Sequence, residues 1–440
     1  MNEVDTALRH AFERCGARGR SVCVALSGGL DSVVLLHAAV ALRQTFDLQL
    51  SALHVDHGLS PRAQDWARFC SRLCASLEVP ISVQRVTVAT NTGLGTEAAA
   101  RARRYEAFWQ IPADFLLLAH HQDDQAETLL LQLLRGAGVQ GLSAMPMERP
   151  LGTRAPRLLR PFLMLQRSQL AGFAADNALE WIEDESNAQT VYDRNYLRHT
   201  VLPLIEARFP AYRSTLSRSG RNLADAAQLA AILGEQDLAA TRSGNGIKLD
   251  RMRDWPEVRV RNALRALFRE LGHVPPRRSL LSEAARQAFH AGEQAQVRVD
   301  FGDVSLRRYR GVLYLVRNIR APRQWEAQWH GEETLALPPG LGVLHFRRST
   351  GEGISSRKLQ DVPVTVTMCR DGGRMALAAN RPRRSLRKLY QDAAIPPWER
   401  ERTPLLFCGG QLACVPGLGI AAPFQAAPAE ASWVVDWLPA

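Results

Sequence analysis

An unbroken apolar run, Val22 to Leu26, leads directly into Ser27-Gly28-Gly29-Leu30-Asp31-Ser32, and a helical stretch follows at once. A strand without polar alternation is one buried on both faces, which is the habit of parallel sheets covered by helices. The same alternation repeats downstream. Strands are predicted at Leu48 to Val55, Ile81 to Val88 and Phe115 to Ala119. Helices are predicted at Asp31 to Gln44, Ala63 to Leu77, Thr96 to Trp109 and Asp123 to Leu134. Repeated strand–helix units imply right-handed crossovers and an α/β, Rossmann-like domain whose ligands bind beyond the carboxyl ends of the strands.

The loop itself is suited to an anion. Gly28 and Gly29 let backbone amides converge without a Cβ in the way, and the helix start adds free N–H groups and partial positive charge. Ser27 and Ser32 can contribute hydroxyls. Asp31 would repel a phosphate unless Mg²⁺ lies between them, an ion held by one or two carboxylates plus phosphate oxygens. Neither a Walker loop nor a dinucleotide fingerprint is present. An ordinary capped Gly-rich turn is the plainer alternative, and the strand–loop–helix setting counts against it.

A second constellation, His120-His121-Gln122-Asp123-Asp124-Gln125-Ala126-Glu127, lies where the fourth strand ends. Asp124 and Glu127 are three apart and share a helix face. Two adjacent carboxylates suit an ammonium group as well as a metal, and acids in a first turn are also explained by the helix dipole. His54, in His54-Val55-Asp56-His57, is as well read as a capping or core residue as a ligand.

Residues 150–161 are rich in Pro and Arg and read as a surface loop, with helices resuming at Gln166 to Ala178 and Arg194 to Ala207. The chain divides into 1–214, a mostly helical middle region at 215–318, and a β-rich region at 329–440, with a linker near Ile319 to Gln328. Gly409-Gly410 between two apolar runs marks a hairpin. Seven scattered cysteines without a Cys-x-x-Cys pair argue against a disulfide framework or a zinc or iron–sulfur knuckle. No apolar run approaches the length of about 20 residues that spans a bilayer, and the first ten residues lack a signal region, so the expected compartment is the cytoplasm.

The net charge of +11 is uneven. Val343 to Lys388 holds eleven Lys or Arg against three acids, with Arg381, Arg383, Arg384, Arg387 and Lys388 the densest group. Arg154, Arg157, Arg160 and Arg167 form a second acid-free run. Such stretches point to a polyanion, or to a solvated charged face.

The loop Ser27 to Ser32 resembles the signature of the N-type ATP pyrophosphatases. Within that group the chain is similar to the bacterial tRNA(Ile)-lysidine synthetases. The matching stretches include His54 to Ser60, Glu97 to Arg101 with Arg104-Tyr105, and His120 to Thr128. Further matches are Arg135 to Gly138, Gly141 to Met145, Glu183-Asp184 with Ser186-Asn187, and Arg194-Asn195. Asp371 to Gly373, Leu386 to Leu389 and Ile395-Pro-Pro-Trp398 extend the likeness to the C-terminal region. Glu185 replaces a usual proline and Arg374 a common acid.

The resemblance implies adenylation of a cytidine by ATP, with Mg²⁺ on Asp31 and Ser27, Gly28, Gly29, Leu30, Asp31 and Ser32 around the phosphates. Free lysine would then attack carbon 2 of the wobble cytidine in the CAU anticodon of isoleucine tRNA. Asp124 and Glu127 would hold its ammonium, with Arg194 assisting and Arg198 the second choice. Arg381, Arg383, Arg384, Arg387 and Lys388 would bind tRNA. A sulfur-inserting tRNA enzyme shares the loop but would need a reactive cysteine near it. An amidotransferase ligase would need a glutaminase segment. A nucleotide fold that merely binds RNA would have no use for Asp31, Asp124 and Glu127 together.

Overall fold

The computed structural model describes residues 2–439 apart from 59, 88–95, 153–155, 184, 186–189, 293–294, 323, 361 and 369–372, and at 96–98 it describes the backbone alone. Val88, Glu97, Arg154, Asp184, Ser186, Asn187 and Asp371 of the sequence motifs therefore lie outside the described side chains. The chain forms two compact units, Met1–Ala230 and Ala231–Ala440.

The first unit begins with α1 (Glu3–Cys15), β1 (Ser21–Ala25), α2 (Leu30–Leu42), β2 (Gln49–Asp56), α3 (Ala63–Ser76), β3 (Ile81–Arg85), α4 (Thr96–Trp109), β4 (Phe115–Leu117) and α5 (Gln122–Leu134). It continues through β5 (Glu148–Pro150), β6 (Arg157–Leu159), α6 (Arg167–Asp176), α7 (Asp193–Tyr196), one π-helical turn (Leu197–Val201) and α8 (Leu202–Arg208). The sheet order is β3-β2-β1-β4-β6-β5. All neighbours are parallel except β5 against β6. The order reverses between β1 and β4, so the loops after these two strands flank a topological switch point.

Both sheet faces are covered. Val22, Val24, Val34, Leu35, Leu36 and Phe12 belong to one core, while Cys23, Leu53, Phe108 and Leu116 belong to the other. The largely apolar α2 has nine buried positions and is a core helix rather than an amphipathic one.

The reading of residues 150–161 as a surface loop is corrected. β6 is an interior strand paired with β4, and Leu158 and Leu159 are buried. Three residues are too few to show a period, and the flanking Pro and Arg hide them. Nor does the basic run 154–167 make a solvated face throughout. Arg160 is buried, donating to His120 Nδ1 at 3.2 Å and to the Pro146 carbonyl at 2.8 Å. Arg157 pairs with Glu148.

The helix α9 (Tyr212–Thr241) passes through the expected boundary after residue 214, and Tyr212 and Leu216 pack with Ala126 and Leu202. The second unit then holds β7 (Arg242–Ser243), β8 (Gly246–Lys248), α10 (Glu257–Glu270), α11 (Arg278–His290), β9 (Arg298–Phe301), β10 (Val304–Tyr309) and β11 (Val312–Arg317). These strands form a five-stranded sheet that shares a core with α10 and α11. β12 (Glu326–Trp329) begins inside the expected linker.

The C-terminal region continues with β13 (Thr334–Ala336), β14 (Val343–Thr350), β15 (Ile354–Ser355), α12 (Ser356–Leu359), β16 (Val364–Met368), β17 (Arg374–Met375), β18 (Arg384–Ser385), α13 (Leu386–Asp392) and α14 (Pro397–Arg400). It closes with β19 (Pro404–Cys408), β20 (Gln411–Val415), β21 (Gly419–Ile420) and β22 (Ala431–Leu438). β19 and β20 make the expected hairpin, with Gly409 and Gly410 both at positive φ. The Ile395-Pro-Pro-Trp398 stretch has a structural role. Trp398 packs edge-on against Tyr309 and Tyr314 of the middle sheet, and Arg310 donates to the Gln391 carbonyl at 2.7 Å.

Candidate active site

The loop after β1 is built as the glycines predict. Gly28 has φ +90°, and a Cβ there would meet Ile182 at 3.1 Å and Cys70 at 3.2 Å. Ile182 N–H donates to the Gly28 carbonyl at 2.9 Å, so the chain at residue 182 braces the loop from outside. The hydroxyls of Ser27 and Ser32 face each other at 3.0 Å, and Ser32 also donates to the Gly29 carbonyl at 2.9 Å. In this arrangement they shape the loop. Gly29 is the N-cap of α2 and forms no side-chain cap, which leaves the amides of the first helical turn for an anion.

Asp31, in that first turn, points toward the loop after β4. Its Oδ2 lies 3.7 Å from His121 Nε2 and its Oδ1 3.9 Å from Arg167 Nε. Oδ1 is buried and accepts no hydrogen bond among the described residues. An orphaned carboxylate oxygen at an anion-binding loop fits a divalent cation shared with phosphate oxygens. No group of three or more His, Cys, Asp or Glu able to hold a metal by themselves occurs among the described residues.

His121 is the centre of the site and was not singled out by sequence reasoning. Besides Asp31, it reaches Asp124 Oδ2 through Nε2 at 3.5 Å and Asp123 Oδ2 through Nδ1 at 3.5 Å. Burial opposes its charge, but the neighbouring carboxylates of Asp123, Asp31 and Asp124 outweigh this, and its pKa rises to about 10. His121 is therefore an imidazolium that ties the loop after β1 to the start of α5. The neighbouring His120 behaves oppositely, burial pushing its pKa down to about 3.

Asp124 and Glu127 do share a face of α5, and they are 8% and 1% exposed. Asp124 also accepts from the His121 N–H at 3.0 Å, so it stabilises the helix start in addition to facing the site. Both expected arginines converge on the pair. Arg194 donates from Nη2 to Asp124 Oδ1 and from Nε to Glu127 Oε2, each at 2.7 Å. Arg198 donates from Nε to Glu127 Oε1 at 2.6 Å and from Nη2 to Glu127 Oε2 at 3.0 Å. Burial alone would lower both guanidinium pKa values, but the carboxylates raise them. Arg198 sits in the π-helical turn, an irregularity that commonly marks functional segments.

A cavity of about 490 Å³ opens beside these groups, bordered by His121, Asp123, Glu127, Arg167, Arg198 and Arg213. Asp123 closes one side, accepting from the Arg167 N–H at 2.9 Å and from Arg213 Nε at 2.5 Å. Arg167 and Arg213 were not assigned to the site from sequence. Their partners lie 44 and 90 positions away, and no local spacing signals such a contact. His54 is structural, its Nδ1 lying 2.9 Å from the Leu26 carbonyl.

The basic group of the C-terminal region lies on β18, α13 and the turn before them. Arg381, Arg383, Arg384, Arg387 and Lys388 are all exposed. Asp392 pairs with Arg384 at 3.0 Å and Lys388 at 3.2 Å, and no ion pair of Arg381, Arg383 or Arg387 occurs among the described residues. Arg374, one of the two departures, donates to the Arg383 carbonyl at 3.2 Å and so supports this strand pair. Glu185, the other, pairs with Arg62 at 2.8 Å.

Comparison with known proteins agrees with this layout. Residues 1–205 match a PP-loop domain, 248–314 a TilS substrate binding domain, and 364–437 a TilS substrate C-terminal domain. The chain is 42% identical to a tRNA(Ile)-lysidine synthase of Nitrosomonas europaea, over 96% of this chain and 92% of that protein. It is 41% identical to one of Azoarcus sp. over 95% and 92%, and 38% identical to one of Coxiella burnetii over 95% and 93%. Among solved structures, a U34-tRNA thiolase from Methanococcus maripaludis is 16% identical with a TM-score of 0.43, over 50% of this chain and 78% of that one. A likeness of that degree carries no argument about function.

Proposed function

The chain belongs to the tRNA(Ile)-lysidine synthase family, and from that premise we propose that Asp31, Asp124 and Glu127 carry an ATP-driven ligation of free lysine to isoleucine tRNA with a CAU anticodon. The observation that supports this placement is His121, which joins the phosphate loop's carboxylate to the acidic pair within one cluster of ion pairs.

The chemistry assigns the residues. Oxygen on carbon 2 of cytosine is a poor leaving group. Attack of that oxygen on the α-phosphorus of ATP forms the adenylate and releases diphosphate, for which the amides of Gly28 to Ser32 offer a cradle. Asp31 would hold Mg²⁺, which would supply positive charge to offset that on the departing diphosphate. The side-chain ammonium of lysine gives up one proton, and the resulting amine attacks carbon 2, loses a second proton and expels AMP, giving lysidine. Asp124 and Glu127 hold the incoming ammonium, and Arg194 orients the pair from behind. The cavity beside Glu127 is the entry for lysine.

We assign residues 1–214 to catalysis, 215–318 to the middle domain and 329–440 to the basic C-terminal domain. Arg381, Arg383, Arg384, Arg387 and Lys388 contact tRNA phosphates there. The substrate places the reaction in the cytoplasm, and among the described residues no helix is long and apolar enough to cross a membrane.

The sulfur-transfer alternative needs a reactive cysteine, and the Cys70 thiol lies against the loop, 3.2 Å from where a Cβ on Gly28 would stand. It is fully buried, and burial pushes its pKa up to about 12, which leaves it without thiolate character. The test is transfer of labelled lysine to bulk tRNA with ATP. Label must appear in RNA only when ATP is present, and absence of transfer overturns the proposal.

A further inference from the structure

The cavity beside the acidic pair has one cation that its acids barely engage. His121, Arg167, Arg198 and Arg213 border it. His121 lies among Asp31, Asp123 and Asp124. Arg198 donates to Glu127 at 2.6 Å. Arg213 is clamped between Asp123 and Glu206, with Nη2 3.0 Å from Glu206 Oε2. Arg167 is the exception. Among the described residues its guanidinium donates no hydrogen bond, and its one ion pair is the 3.9 Å approach to Asp31. The side chain is 57% exposed, while the backbone N–H of the same residue is fixed on Asp123 at 2.9 Å. The root of the side chain is thus anchored in the cluster, and the guanidinium keeps its donors for a ligand. Arg167 begins α6, and Gln166, Ser168 and Ala171 also border the cavity. The positive end of the α6 dipole therefore lies on this wall.

An acidic pair selects an ammonium and nothing more. Asp124 and Glu127 would take one end of an alkyl diamine as readily as the side chain of lysine, so a second contact must tell the two apart. What sets lysine apart is the α-carboxylate at the far end of its four-carbon stem. Arg194 is not free to bind it. That residue commits Nε and Nη2 to Glu127 and Asp124 and does not border the cavity. Arg198 and Arg213 are held by the carboxylates just named. Arg167 is left.

We propose that Arg167 binds the α-carboxylate of the substrate lysine and so makes the site specific for an amino acid over a simple amine. The planar fork of a guanidinium meets a carboxylate bidentately. The cavity, about 490 Å³, is of the size that takes a small molecule whole. Because Arg167 also lies near Asp31, a phosphate of ATP is the competing oxyanion, and the experiment separates the two. The inference rests on the reading of free lysine as the substrate and of this cavity as its entry.

The experiment follows transfer of labelled lysine to tRNA by the full chain, with lysinamide as competitor and with ATP varied in a second series. Lysinamide keeps both amino groups and replaces the carboxylate by a neutral amide. In wild type it should bind roughly 10- to 150-fold more weakly than lysine, the range of one charge-assisted hydrogen bond. Arg167→Ala should raise the lysine requirement by that factor and leave the lysinamide constant unchanged, so that the preference disappears. Arg167→Lys should restore part of it. Should the alanine variant be inactive or unfolded, Arg167→Gln replaces it, and equilibrium dialysis of labelled lysine against lysinamide supplies the same ratio without turnover. A variant that keeps the wild-type preference, or that weakens lysine and lysinamide alike, overturns the carboxylate contact. A raised ATP requirement with an unchanged lysine requirement assigns Arg167 to the ATP phosphates and overturns it too. In each of these cases lysine transfer by the wild type, and hence the proposed function, stands. A wild type that transfers no lysine removes both.

Discussion

Arg198 Nε lies 2.6 Å from Glu127 Oε1, so the more buried carboxylate of the acidic pair already holds a guanidinium where the proposed function puts the substrate ammonium. Arg194 bridges Glu127 and Asp124 from the other side. On that proposal lysine enters by exchange. Arg198, whose side chain is 32% exposed against 25% for Arg194 and which borders the cavity, is the group displaced. Arg198→Ala should leave the lysine requirement unchanged or lower it, and Arg194→Ala should raise it. Steady-state rates over a lysine series decide. A larger rise in Arg198→Ala than in Arg194→Ala would give Arg198 the assisting role and end the exchange account.

Glu127→Gln keeps the shape of the side chain and removes its charge. Loss of one charge-assisted hydrogen bond costs about 1.5–3 kcal/mol, or roughly 10- to 150-fold in affinity. The lysine requirement should rise within that range and the ATP requirement far less. Equal effects on both would assign Glu127 to the fold of α5 instead.

Asp31→Ala removes the orphaned oxygen beside the phosphate loop. The variant should lose Mg²⁺-dependent AMP formation while its tRNA affinity stays within about twofold of wild type, since the proposed phosphate contacts lie elsewhere. AMP release at the wild-type rate contradicts the assigned role.

His120 gives a pH signature separate from catalysis. Burial holds its folded-state pKa at about 3 against an ordinary value of 6.5, so the unfolded chain takes a proton that the folded chain refuses. The unfolded state binds more protons between those values, and stability falls as pH falls from 6.5 toward 3. One such group contributes a slope of up to about 1.4 kcal/mol per pH unit. Urea unfolding of wild type and His120→Asn should converge as pH falls through this window. A stability difference independent of pH contradicts a neutral buried His120.

The basic group at 381–388 predicts a salt effect of its own. Replacing Arg383, Arg384 and Arg387 with alanine should weaken tRNA binding and lower the salt slope by up to about one per lost contact. The effect of Arg384 should be the smallest, because Asp392 already neutralises part of its charge. Parallel, equally steep lines would mean that these side chains face solvent only. A truncation meant to isolate catalysis should end beyond α9's packed first turns, since Leu216 belongs to the core of Ala126 and Leu202.

Much of this was legible in the residues because local physics carried it. The apolar runs that become β1, β2 and β4, and the glycines before α2, depend only on burial and backbone freedom. Spacing put Asp124 and Glu127 on one face of α5, whereas their role came from the family resemblance more than from spacing. What escaped depends on contacts distant in sequence. β6 is three residues long and takes its place from β4. Arg167 and Arg213 join the site only through Asp123. His121 looked like the second of two equivalent histidines, yet acids from two loops make it a cation while burial keeps His120 neutral.

The central claim is that lysine becomes bonded to carbon 2 of a cytidine through an adenylate. The direct measurement is nucleoside analysis of isoleucine tRNA after incubation with ATP and labelled lysine, with AMP counted in parallel. The account predicts one AMP per lysine and label that survives mild alkali on a nucleoside from the anticodon, because a carbon–nitrogen bond is not an ester. Label released by alkali from the tRNA terminus, or lysine incorporation with ADP in place of AMP, would contradict it.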